Sequence, residues 1–139
     1  MQVLTSEFTK ETRGFNDTHD ITDRVAEAVR ESGLSGGVAV VFVPGSTAGL
    51  TSIEYEPGAV ADLAEAVGRA APTDIPYAHD AAWGDGNGFS HVRAALIGPS
   101  LTVPFANGAL ILGTWQQIVL IDFDNRARTR RVVVQVMGQ

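Results

Sequence analysis

Apolar positions recur along this chain with two different periods, and the switches between them mark its elements. Leu4 and Phe8 share a parity in the run Gln2–Thr12, which is rich in Thr, Val and Phe and predicts a first strand. Gly14–Asp20 is polar and reads as a turn. Ile21, Val25, Ala28 and Val29 then follow a helical period, with Asp20 or Thr22 as the capping oxygen and Gly33 as the stop. Val38–Val43 is unbroken apolar sequence, the pattern of a strand covered on both faces, and Pro44-Gly45 ends it. Ser46–Glu54 alternates loosely and reads as a loop entering another strand. Pro57 suits a first helical turn, and Val60, Leu63, Ala64 and Val67 continue that helix to Ala71-Pro72.

The second half is less regular. Tyr77–Gly98 shows no clean period before Val92, although Ser90–Ile97 predicts a short helix closed by Gly98. Leu101–Phe105 is a strand interrupted by Pro104, Asn107-Gly108 is a hairpin turn, and Ala109–Leu112 is the return strand. Trp115–Phe123 and Thr129–Met137 read as the longest strands, joined by Asp124–Arg128. The sum is one domain over residues 1–139, with two or three helices and six to eight strands that pair mostly antiparallel.

Composition narrows the function classes. Ten basic against sixteen acidic residues give a net charge of −6, which argues against nucleic acid as a partner. The absence of cysteine removes disulfides and thiolate metal sites. No signal-peptide shape and no apolar run of spanning length is present, so a cytoplasmic protein without a membrane partner is the expectation.

Candidate chemistry concentrates in two irregular segments, because loops on a rigid scaffold are where side chains are placed for function. His79 and His91, two of the three histidines, flank a Gly-rich stretch and are candidate ligands for a divalent metal, zinc or magnesium. The competing reading is two loop imidazoles bonded to backbone. Asp80, Asp85 and Asn87 can orient an imidazole or bind magnesium, or serve only as turn formers. Asp85-Gly86-Asn87-Gly88 matches part of a calcium loop but lacks the distal bidentate Glu. In Pro44–Gly49, Ser46 and Thr47 can cradle a phosphate or simply form a tight turn; the segment lacks the Lys of a P-loop. Glu54 is a candidate ligand or general base, or else a strand-end carboxylate. Arg126, Arg128, Arg130 and Arg131 suit an anionic substrate or a solvated hairpin guarding a sheet edge; the second reading is preferred for Arg126. Trp115-Gln116 can line a pocket, although a strand Trp is usually core, and His19 reads as locally packed or solvated.

Taken together, several segments resemble one family. They are Gly45–Glu54 (Gly-Ser-Thr-Ala…Thr-Ser-Ile-Glu), Gly58–Leu63, Tyr77–Asp80 (Tyr-Ala-His-Asp), Asn87–Val92 (Asn-Gly-Phe-Ser-His-Val), Ile97–Pro104 and Leu112–Ile118 (Leu-Gly-Thr-Trp-Gln-Gln-Ile). In this order they are similar to the YjbQ family, long an uncharacterised protein family, over nearly the whole chain. The resemblance implies an α+β fold with a mostly antiparallel, β-sandwich-like sheet core, and a homotrimer. It implies a metal-type pocket of histidines and acids with a sulfate or phosphate nearby. It also implies a thiamine phosphate synthase-like side activity, in which a pyrimidine methyl diphosphate couples to a thiazole phosphate and releases diphosphate.

His79 and His91 match the family histidines, and Glu54 its acidic position. Many members carry His-Thr-Ser where this chain has Gly45-Ser46-Thr47, so a third imidazole is missing here. The expectation is a metal-dependent enzyme acting on a small phosphorylated molecule. His79, His91 and Glu54 would be its ligands and catalytic groups, with Ser46, Thr47, Asp80 and Asn87 around the substrate. The alternatives are a non-catalytic trimeric metal- or anion-binding protein, and a purely structural component.

Overall fold

Two strands that alternate cleanly set the frame. The computed structural model describes Met1–Gln139, and in it β1 (Gln2–Thr12) and β8 (Arg128–Gly138) pair antiparallel along their whole length, Gln2 opposite Gly138 and Thr12 opposite Arg128. On β8 the even-numbered side chains Val132, Val134 and Val136 are buried, while Arg131 points to solvent. This is the period-2 signature of a strand with one covered face. The other side of β8 takes β3 (Gly36–Phe42), then β5 (Ser100–Ala106) and the two-residue β6 (Ala109–Leu110), giving the order β1-β8-β3-β5-β6. A smaller sheet, β2-β7-β4, comprises β2 (Asp17–Asp20), β7 (Gln117–Asp122) and β4 (Ala48–Ile53). Every pairing in both sheets is antiparallel.

The central strand of the small sheet is buried on both faces. Ile118 and Leu120 join Phe8, Val41, Val103, Val132, Val134 and their neighbours in a core of 17 buried residues between the sheets. Helix α1 (Thr22–Ser32) seals that core with Val25 and Val29. Val119, Ile121 and Phe123 face the other way, onto Val67 of α2 (Pro57–Ala70) and Ala94 of α4 (Gly88–Ile97). The architecture is therefore α+β in three layers: large sheet, small sheet, helices. No helix is long and apolar enough to cross a membrane.

Several expectations are corrected. There are four helices rather than two or three, because Ala78–Trp83 forms α3 where the sequence reads as a loop. Asp17–Asp20 is a strand, not a turn, and neither Asp20 nor Thr22 is the capping residue of α1: Ile21 holds that position without a side-chain bond, and Asp20 Oδ1, one residue earlier, accepts from the Thr22 amide at 2.9 Å. β3 is covered on one face only: Ala39 and Val41 are fully buried, while Phe42 is 41% exposed. Pro104 does not interrupt β5, whose outer edge is covered by β6 only at Phe105 and Ala106; an edge position tolerates the missing N–H. The last two sheet segments differ as well. β7 starts at Gln117, leaving Trp115 exposed rather than in the core, and β1 rather than β7 matches β8 in length.

Candidate functional site

Two short helices meet at the former loop. Gly84 ends α3 in the left-handed conformation at φ 65°, and the chain re-enters a helix at Gly88. Asp80 Oδ1 accepts from the Gly88 amide at 2.8 Å, tying α3 to the first turn of α4. A Cβ at Gly88 would lie 2.5 Å from Tyr77 Cβ, so only glycine permits this approach. The far end of α4 is docked on β4: Gly98 O accepts from Leu50 N at 2.9 Å, and a Cβ at Gly49 would meet Ile97 Cγ2 at 2.9 Å.

This packing sets the two imidazoles face to face, with ring centroids 4.3 Å apart and planes inclined by 37°. Trp83, one turn along α3, also stacks on His79, with ring centroids 6.4 Å apart. His79 Nδ1 is sealed from solvent and has no hydrogen-bond partner. Asp85 Oδ1 lies 3.4 Å and Asp80 Oδ1 3.8 Å from it, near enough for attraction but not aligned for a hydrogen bond. One donor atom from each of His79, Asp80 and Asp85 falls within 4.8 Å of the others. Ligands bound about 2.1 Å from a tetrahedral zinc sit roughly 3.4 Å apart. An orphaned imidazole nitrogen with one carboxylate oxygen at that spacing and a second at 3.8 Å is a donor set that a small closure of the side chains would fit to a divalent cation.

Glu54 is not part of this cluster. It follows the last residue of β4, six positions beyond Ala48, which at strand rise is roughly 20 Å from the Ser46 end. Its carbonyl accepts from Glu56 N, and Glu56, not Glu54, caps α2 by accepting from Gly58 N and Ala59 N at 2.8 Å. The acids beside His79 are Asp80 and Asp85 instead.

Asn87 and Thr47 are committed to the fold. Asn87 is 5% exposed; its Oδ1 accepts from Ser90 Oγ at 2.6 Å and from Asn125 N at 3.1 Å, pinning the α3–α4 turn to the β7–β8 turn. Thr47 is buried, donates to Asp124 Oδ2 at 2.8 Å and accepts from Arg130 Nη2 at 2.6 Å. Neither side chain is free to contact a phosphate in the way the sequence suggests. Ser46 is exposed and lines a shallow cavity of about 250 Å³ with Gly45, Ala48, Ala94 and His91.

The sequence reading missed the buried ion network that Thr47 joins. Asp122 and Asp124 are fully buried at the end of β7. Arg130 grips Asp122 with two bonds, Thr12 also donates to Asp122, and Arg128 pairs with Asp124 at 3.0 Å. Burial alone would raise the Asp124 carboxyl; the Thr47 hydroxyl, the Arg128 guanidinium and the Asn87 amide outweigh it and hold the group below its ordinary value. A carboxyl depressed in this way stabilises the fold above its unfolded pKa of about 4, and the contribution is lost as pH falls through the folded value. Thr47→Val should therefore cost about 1–2 kcal/mol at neutral pH. Denaturant titrations read by circular dichroism should show that difference shrinking below about pH 4; a cost independent of pH would detach Thr47 from the ionised Asp124.

The largest groove, about 590 Å³, lies elsewhere, among Arg13, Asp17, His19 and Arg128. His19 Nε2 meets Asp17 Oδ2 at 2.8 Å there, so the third imidazole is paired. Burial raises the Asp17 carboxyl, but the Arg13 amide and His19 reverse the effect and hold it low.

The family model described as UPF0047 protein YjbQ-like matches residues 6–139. The chain belongs to this family. A UPF0047 protein of Methanothermobacter thermautotrophicus is 37% identical over 139 residues, covering 100% of this chain and 95% of that one. One from Archaeoglobus fulgidus is 38% identical over 118 residues, 85% of this chain and 89% of its own. Among solved structures, a YbjQ-like protein of unknown function from Sulfolobus solfataricus superposes with a TM-score of 0.94 at 28% identity, covering 99% of both chains. An uncharacterised YjbQ/UPF0047 protein from Clostridium acetobutylicum gives 0.87 at 38% identity, covering 95% of this chain and 99% of that one. The YjbQ-like fold is thus shared over the full chain, while the names of these relatives state no activity.

Proposed function

We propose that this YjbQ-family chain holds a divalent cation between His79, Asp80 and Asp85, beside His91, and acts there on a small phosphorylated molecule. The observation that carries the reading is the sealed, unpartnered Nδ1 of His79 facing two carboxylate oxygens. A buried polar atom left without a partner costs free energy, and a cation between these donors would satisfy all three. The imidazole in the set favours zinc over magnesium, which prefers oxygen. A bound cation would neutralise charge growing on the departing phosphate oxygens. His91, half-buried with its ring against His79, is positioned as a further ligand or as the proton-transfer group. The coupling of a pyrimidine diphosphate to a thiazole phosphate is the candidate reaction.

A second reading, a binding protein without turnover, is favoured by the distance of Glu54, which removes the acid expected to serve as base. In both readings the assembly is a homotrimer, a proposal consistent with the partly exposed apolar face of β3, where Phe42 is 41% exposed. Elemental analysis after equilibration with zinc or magnesium should give one ion per chain, and protein that retains none ends both metal readings. Where the ion is retained, the coupling assay run with each metal separates enzyme from binding module.

A further inference from the structure

The acid nearest to His79 is held in place by hydrogen bonds from another part of the chain. Asp85 Oδ1 lies 3.4 Å from His79 Nδ1, against 3.8 Å for Asp80. Asp85 sits in the link between α3 and α4, flanked by Gly84 and Gly86, both at φ 65°. Glycine loses the most conformational freedom on ordering, and α3 buries none of its residues, so little in the link itself keeps Asp85 still. The restraint comes from a residue 40 positions further on. Asn125, in the β7–β8 turn, donates from Nδ2 to Asp85 O at 2.9 Å, and its backbone amide donates to Asn87 Oδ1 at 3.1 Å. Asn87 N in turn donates to Asp85 Oδ1 at 3.2 Å. The base of this clamp is fixed, because Asp124, next to Asn125, is fully buried and bonded to Thr47 and Arg128.

We propose that Asn125 is a positioning residue for the cation site, acting through Asp85. Its target is a carbonyl oxygen, so position 125 must supply a donor; an aspartate side chain, of the same size, would present oxygen to oxygen. The contact also crosses between two turns, so it ties the helical layer to the end of the small sheet. The assignment rests on the cation proposed above and adds the residue that keeps one carboxylate in its ligand set. Without the clamp, Asp85 is free to swing into solvent, where its side chain is already 47% exposed. The set then falls to the His79 nitrogen and an Asp80 oxygen, with His91 beside them. Loss of a carboxylate weakens oxygen-preferring ions more than zinc, which imidazole holds well. Asn125 therefore bears on which divalent ion the site prefers.

The test is calorimetric titration of manganese and of zinc into chelator-treated protein. Asn125→Ala should weaken manganese binding by about 10–100-fold, the size of an outer-shell loss, and zinc binding by less. Its thermal midpoint should fall by only about 3 °C, since one exposed hydrogen bond is lost. A general fold defect weakens both ions alike, so the change in their ratio is the readout that a merely structural role does not move. In an Asp85→Ala background, Asn125→Ala should cost no further affinity, because the clamp acts through that carboxylate. Unchanged affinity, equal losses for the two ions, or a full further loss on Asp85→Ala overturns the assignment. Hydrogen exchange keeps this failure apart from failure of the cation reading. Wild type that takes up neither ion ends the cation reading, and Asn125 then stands as a clamp on Asp85 only if the Asn87 and Gly88 amides exchange faster in Asn125→Ala. Equal exchange overturns the clamp as well.

Discussion

Arg130→Met is expected to lower the thermal midpoint by roughly 9–15 °C. The variant leaves Asp122, fully buried, without the guanidinium that holds both of its oxygens. Removing one partner of a buried, bidentate pair costs about 3–5 kcal/mol, because the remaining charge cannot be rehydrated. For a chain of this size one kcal/mol moves the midpoint by about 3 °C. The Thr12 hydroxyl and the Asp124 amide still bond Asp122, so the low end of the range applies if they relax toward it. A second variant separates lost attraction from stranded charge. Arg130→Met combined with Asp122→Leu should cost about 2 kcal/mol less than the sum of the two single changes, since two groups in contact are not independent. Additive costs, or a single-variant loss under about 1 kcal/mol, would reduce the network to a surface-like ion pair.

This network was within reach of the sequence. Val132, Val134 and Val136 fix the inward parity of β8, and continuing it backwards places Arg130 and Arg128 on the core side. Asp122 shares the parity of Ile118 and Leu120. Two arginines and an aspartate on inward positions of facing strands mark a buried ion cluster, whereas a charge count alone suggests a solvated hairpin. Other features had no such signal. Helix α3 buries none of its six residues, so it carries no amphipathic period. β2 is four residues of Asp, Thr and His whose extended form comes from pairing with β7, a tertiary cause that local propensity does not contain. Glu54 was misplaced for the opposite reason. Seven residues separate it from Ser46 along the chain, which looks close, but six of them form an extended strand that carries it to the other end of the sheet. His79 and His91 are twelve apart yet touch, because the chain between them folds back through Gly84 into a second helix.

That fold-back makes the second large effect specific to geometry rather than to composition. His79→Ala should reduce cation affinity by about 100-fold or more, beyond the range seen when only an outer-shell partner is lost. Glu54→Gln should leave it unchanged. Gly88→Ala alters no candidate ligand, but its new methyl would sit 2.5 Å from Tyr77 Cβ and 3.1 Å from Asp80 Oδ1. Tyr77 must move, and the 2.8 Å bond from the Gly88 amide that orients Asp80 is lost with it. An affinity loss of about 10–100-fold is expected, the size of an outer-shell defect. Global stability should change little, because α3 contributes no buried residue and opens at low cost. Calorimetric zinc titrations of the three variants beside their unfolding curves read both quantities. If Gly88→Ala binds zinc like wild type, Asp80 does not depend on the α3–α4 contact. If Glu54→Gln loses zinc as His79→Ala does, the ion lies at the other end of β4, and the imidazole pair is packing alone.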